Sequence, residues 1–181
     1  VTGELKGKKN KAANDISGMA CNLLSGTQKL CLLINDENSE AQFVTLSGSN
    51  IEAGRLVPLT RKKPEAEAKG APPSITCGKT GKFAEFDGEG VAFDGQYFYV
   101  TGSHGCSRNS NQFHQSSFYI ARLAATGEPA APADLTYRFS DVLMAAARIS
   151  PFFGKPLQAA DNGLNIEGLA VTGNMLWAGL R

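Results

Sequence analysis

A chain of 181 residues is long enough for one domain with a sizeable core. Its 42% hydrophobic content and formal net charge of +1 are ordinary for a globular chain, so global charge points neither to nucleic acid nor to a membrane surface. No apolar run approaches the roughly 20 residues that a spanning helix needs. Residues 1–15, VTGELKGKKNKAAND, lack the apolar stretch of a signal peptide.

The first ordered unit opens at DISGMAC, from Asp15, and continues through SGT into LCLLI. A turn at Ser25-Gly26-Thr27 predicts an antiparallel hairpin. Cys21 and Cys31 lie symmetrically about Gly26 and would face each other across the ladder. Opposed residues have Cα atoms about 4.5–5.5 Å apart, within disulfide reach. The alternative is two small buried apolar residues. With four cysteines and no C-x-x-C, the usual zinc and thioredoxin spacings are absent, and a disulfide would imply an oxidising compartment. AQFVTL and GRLVPLT then read as two further strands, completing a unit over 15–60. Residues 61–74, RKKPEAEAKGAPPS, are polar and rich in Pro and Ala, a linker.

The second unit, 75–140, starts from DGEGVAF at Asp87 and turns at Asp-Gly into YFYVT. CGKTGK is not a phosphate-binding loop, because Pro73 stands where that motif needs glycine. The polar stretch 102–115 carries His104, Cys106, Arg108 and His114, in a spacing that matches no common zinc pattern. SSFYIARLA and LTYRFS supply the outer strands. SDVLMAAARI predicts a helix over 140–150 with Ser140 as its N-cap. A third unit begins at NIEGLAV, turns at TGN and runs through MLWAGL, over 165–181.

The three openings share one ungapped pattern, [DN]-x-[ES]-G-[MVL]-A-[CFV]. Four strands per unit, inner hairpin first, predict an all-β chain of propeller blades, with a β-sandwich as the alternative. The repeats are spaced more widely than the ~40–50 residues of familiar propeller blades. Two full units and the start of a third do not close a ring. The expectation is therefore a fragment, or one piece of a cleaved chain whose partner is the missing C-terminal part of the same propeller.

In such a hairpin the start of the first strand and the end of the second share one face. That places Asp15, Asp87, Glu89, Asn165 and Glu167 beside Asn35, Asp36, Glu37, Ser103, His104 and Arg181 at a central channel. A repeated turn accounts for the Asp/Asn and glycine positions. It does not account for Glu89 and Glu167. Converging carboxylates suit a hard cation such as calcium, or could act as general bases. The candidate metal ligands are Glu89, Glu167 and Asp87. The candidate catalytic groups are Glu89, Glu167 and His104. Asp36, Glu37, Ser103 and Arg181 are candidate substrate contacts, the arginine suited to an anion.

The phrases DISGMA…LLINDE, DGEGVAFDGQYFYVTGSHG and LNIEGLAV…LWAGLR resemble bacterial domain-of-unknown-function family 3616, from about Asp15 to Arg181. In that family the Gly-Leu-Arg is followed by more β-sheet sequence. The family is similar to the esterase-like phytase group and, more distantly, to gluconolactonase-type propellers. In the latter the glutamate of an initial Glu-Gly binds a divalent metal. The resemblance implies that role for Glu89 or Glu167, not for Ser17. Two functions follow. One is a ligand- or partner-binding module, secreted or periplasmic, that uses the channel face for a small molecule or a protein. The other is a metal-dependent hydrolase of phosphate esters, other esters or lactones.

Overall fold

The computed structural model describes residues 1–181 except 62, 65–67, 76, 84, 126–132 and 159. In the first unit, β1 (Ile16–Ser25), β2 (Gln28–Asn35), β3 (Glu40–Ser47) and β4 (Asn50–Pro58) form an antiparallel meander in sequence order. Cys21 pairs directly with Cys31, and the two form a disulfide with a Cα separation of 4.0 Å. Of the 61–74 segment, residues 62 and 65–67 lie outside the described residues.

A short β5 (Lys79–Thr80) precedes the second hairpin, β6 (Gly88–Phe93) and β7 (Tyr97–Gly102). β5 pairs in parallel with β8 (Gln112–Phe113), and a disulfide between Cys77 and Cys106 ties the same two loops together. The second meander is completed by β9 (Ile120–Ala124) and β10 (Asp134–Thr136), giving the order β10-β9-β7-β6. The Ser-Ser-Phe-Tyr stretch, read as strand, instead enters β9 through a 3-10 turn at Gln115–Phe118. There the Ser117 N–H and hydroxyl both donate to the His114 carbonyl, so local bonds outcompete the ladder.

The helix also differs from expectation. It is α1 (Arg138–Ala145), starting before Ser140 and ending well short of residue 150. The Thr136 hydroxyl accepts the Arg138 N–H at 3.1 Å, which starts the helix two residues ahead of the expected cap. Ser140 lies inside it, buried, with no hydrogen-bond partner for its hydroxyl among the described residues. The third hairpin, β11 (Ile166–Thr172) and β12 (Met175–Leu180), stands as a two-stranded sheet.

The molecule is thus mostly β, built on antiparallel sheets. Its main core lies between the first two sheets, where Leu32, Ile34, Phe43, Val91, Phe98, Val100 and Phe118 interleave. The inner strands β1, β6 and β11 pack in sequence. Glycine makes each approach possible. A Cβ on Gly18 would meet Val91 Cγ1 at 3.2 Å, and one on Gly90 would meet the Leu169 backbone nitrogen at 2.6 Å. No described helix is long and apolar enough to cross a membrane.

Candidate functional site

The three hairpins bring their acidic openings to one rim. In the first, Ile16 lies opposite Asn35; in the second, Gly88 lies opposite Gly102; in the third, Asn165 and Arg181 exchange backbone hydrogen bonds. The side chains next to these pairs therefore share an end of the sheets. Asp36 has its carboxyl pushed up by burial and by the charges of Asp15 and Asp87. Asp87 is likewise pushed up, mainly by burial; a hydrogen bond from Ser103 opposes this, and Glu85 and Glu167 add repulsion. Asp87 also has φ of +57°, the left-handed conformation that aspartate tolerates better than most residues.

Glu89 carries the largest perturbation at the rim. Burial, then the charges of Asp87, Glu167 and Asp36, raise its pKa to about 8; the Arg181 guanidinium only partly offsets them. At neutral pH its carboxyl is therefore mostly protonated. Glu167 is held in position. It accepts from Asn165 Nδ2 at 2.7 Å and pairs with Arg181 Nη1 at 2.8 Å. Among the described residues, no three His, Cys, Asp or Glu side chains come together closely enough to hold a metal ion.

Two candidates have other duties. Glu37 accepts the Asn14 N–H through Oε2 at 3.1 Å, and its own N–H donates to Asn35 Oδ1 at 3.0 Å. Asn35 Nδ2 in turn donates to the Lys6 carbonyl at 3.0 Å, so these residues fasten the N-terminal segment to the first sheet. His104 does not face the rim. It is fully buried between the Phe118 and Phe139 rings, at centroid distances of 5.6 and 5.4 Å. Its Nδ1 donates to the Gly102 carbonyl at 3.0 Å, while Nε2 has no hydrogen-bond partner among the described residues. Burial drops its pKa to about 4, so the imidazole is neutral.

One rim pair lay outside the sequence expectations: Lys8 bridges to Glu85 at 2.6 Å and also feels Glu37 and Asp36. The signal was the lysine-rich KGKKNK run, which brings cations to an acidic rim. A cleft of about 560 Å³ opens elsewhere, between Tyr99, Phe139, Val142, Val171 and Met175, and none of the rim carboxylates lines it. It lies beside the third hairpin, apart from the acidic rim.

Residues 77–131 and 130–181 match the family described as Protein of unknown function (DUF3616), and together these stretches span more than half the chain. The chain belongs to the DUF3616 family. The match takes in the second and third acidic phrases, the Ser103-His104 pair and the Gly-Leu-Arg ending at Arg181. In this DUF3616 chain, then, Glu89 and Glu167 both fall within the family's shared region. No curated protein and no solved structure matches the chain.

Proposed function

We propose that this DUF3616 protein is a propeller-type binding module, secreted or periplasmic, whose rim takes a ligand through a positively charged group. The observation that supports this is Glu89, a half-buried carboxyl held near pKa 8 by burial and by Asp87, Glu167 and Asp36. Burial is the larger cause of that shift, and the three carboxylates that add to it favour a cation arriving among them. Two disulfides fit the oxidising compartment in which such bonds persist. A metal-dependent hydrolase would need Glu89, Glu167 and Asp87 drawn closer than they stand.

A bound cation lowers the pKa of Glu89, so binding releases a proton at neutral pH. The test is calorimetry with calcium and, separately, with spermidine, each in two buffers of different ionisation heat. Proton release near one equivalent at pH 7, and its loss in Glu89→Gln, are expected. Absence of heat with both cations, or unchanged affinity and proton release in Glu89→Gln, would refute the proposal.

A further inference from the structure

Residues 5–13 form a small hairpin that lies against the first sheet. Lys6 and Ala12 are antiparallel bridge partners, and the Ala13 N–H donates to the Leu5 carbonyl at 2.8 Å. The Gly7 N–H donates to the Lys11 carbonyl at 2.8 Å, and the Lys11 N–H closes the turn on the Lys8 carbonyl at 3.3 Å. Lys9 and Asn10, at the tip, have φ of +57° and +58°. Two successive left-handed residues are the mark of a type I′ hairpin turn. Asparagine suits that conformation, whereas lysine rarely adopts it.

The hairpin is tied down on both sides of that tip. On the outgoing side the Lys6 N–H donates to Gln42 Oε1 at 2.8 Å, and the Lys6 carbonyl accepts from Asn35 Nδ2 at 3.0 Å. Both partners are buried in the first sheet, and Leu5 packs on Cys31, Leu33 and Val44. On the returning side the Asn14 N–H donates to Glu37 Oε2 at 3.1 Å. Gly7 passes flush against the same carboxylate, since a Cβ on it would overlap Glu37 Oε2 and stand 2.9 Å from Ala13 Cα. This seat carries a cation to the second unit. Lys8 Nζ pairs with Glu85 Oε1 at 2.6 Å, and the charges of Glu37 and Asp36 act on it as well. Glu85 stands two residues before Asp87 and adds to the repulsion there. Lys9 and Lys11, by contrast, are exposed and make no ion pair among the described residues.

We infer that the 5–13 hairpin is a built-in competitor of the rim's cationic ligand, with the Lys8 ammonium in a place that an ammonium group of the ligand would take. This rests on the reading of the rim as a cation-binding site. A lysine ammonium and a ligand ammonium are compact point charges with N–H donors and no acceptor. They suit the same carboxylates, and their like charges keep them from sharing one. The hairpin backbone is firmly seated, but the Lys8–Glu85 pair is largely exposed, at 59% and 44% of the two side chains. Exposed pairs are weak, so the ligand swings the lysine aside without unseating the hairpin. A ligand with several ammonium groups, such as an aliphatic polyamine, outcompetes a single lysine most readily.

The experiment is calorimetry with spermidine on the full chain, as wild type, Lys8→Gln and Lys9→Gln, at about 0.15 M salt to screen distant charges. Both variants remove one positive charge from the same exposed turn, but only Lys8 touches a rim carboxylate. Lys8→Gln should bind spermidine about two- to fivefold more tightly, the scale of an exposed ion pair, while Lys9→Gln matches wild type. In wild type labelled with ¹³C-lysine, saturating spermidine should move the Lys8 Cε signal toward that of Lys9 as the ion pair opens. Binding seen only in Lys8→Gln would support the competitor in its strongest form. Equal affinity in all three proteins would overturn the competitor and leave the rim reading standing. Equal gains in both variants would reduce the effect to net charge and overturn it too. Weaker binding by Lys8→Gln would make Lys8 a support of the rim, again overturning it. No binding by any of the three would overturn the rim reading, and the competitor with it.

Discussion

Glu89 and His104 sit on the same hairpin, one at the start of β6 and the other just beyond β7, and burial shifts both toward their neutral forms. For Glu89 burial is reinforced by three carboxylates and opposed by Arg181. For His104 burial acts almost alone, against a single backbone hydrogen bond. The first site is therefore electrostatically responsive, because a ligand can change the charges around it. The second is a packing site whose neighbours are the Phe118 and Phe139 rings, the Thr101 hydroxyl and backbone. A strongly shifted group marks a binding site only where other charges share the shift.

The comparison breaks most severely if the buried side is unfastened. Cys106 is two residues from His104, and its disulfide to Cys77 spans 29 positions. Replacing both cysteines by alanine should cost about 3–4 kcal/mol from loop entropy. Urea denaturation measures the loss. Proton release on cation binding at the rim should survive under native conditions; its disappearance would mean that the two regions are not separable.

The next effect is a pH dependence of opposite sign at the two sites. The folded His104 titrates near 4, below the 6.5 of a free imidazole, so the unfolded chain takes up the proton first as pH falls. Its contribution to stability is full above pH 6.5 and drains between about pH 6.5 and pH 4. The size is about 3 kcal/mol. His104→Asn, which tolerates the left-handed backbone at this position (φ +53°), should flatten that limb of the stability curve. An unchanged acid limb would show that His104 is not the buried titrating group.

The smallest effect is at the rim. Folded Glu89 keeps its proton up to about pH 8, whereas unfolded glutamate loses it near 4.5. Its contribution is full below pH 4.5 and drains as pH rises toward 8. Glu89→Gln should therefore raise Tm at pH 8 by roughly 2–4 °C, on the order of 1 kcal/mol once solvent screening of a half-exposed group is allowed for. It should leave Tm unchanged at pH 4. A lower Tm at pH 8 would mean that the charged form is stabilised by a neighbour.

Local pattern carried much of this into the sequence. The acidic phrase, the alternating strands and a glycine-bearing turn (Ser25-Gly26-Thr27, Asp94-Gly95 and Thr172-Gly173-Asn174 in turn) specify each inner hairpin without help from distant residues, and they put Asp87, Glu89 and Glu167 at one end. The helix start was missed because Thr136, two residues ahead of it, engages the Arg138 N–H, a bond that the Ser140 pattern does not suggest. The β5–β8 pair was not legible, since two-residue strands joined in parallel depend on a loop-to-loop contact and the Cys77–Cys106 bond. His104 follows a strand, where a polar residue reads as exposed. Its burial is supplied by Phe118 and Phe139, from later parts of the chain. The protonation of Glu89 was equally hidden, because it arises from burial and from three nearby carboxylates, both of which exist only in the folded molecule.

The Cys21–Cys31 bridge joins residues that already face each other across a tight hairpin, so it closes little chain. What it fixes is alignment. A slip of one residue between β1 and β2 would exchange the two faces of the first strand. Gly18 would then turn outward, and Met19 would be driven against Val91. By forbidding that slip, the bridge acts as a registration pin that keeps Gly18 turned to Val91.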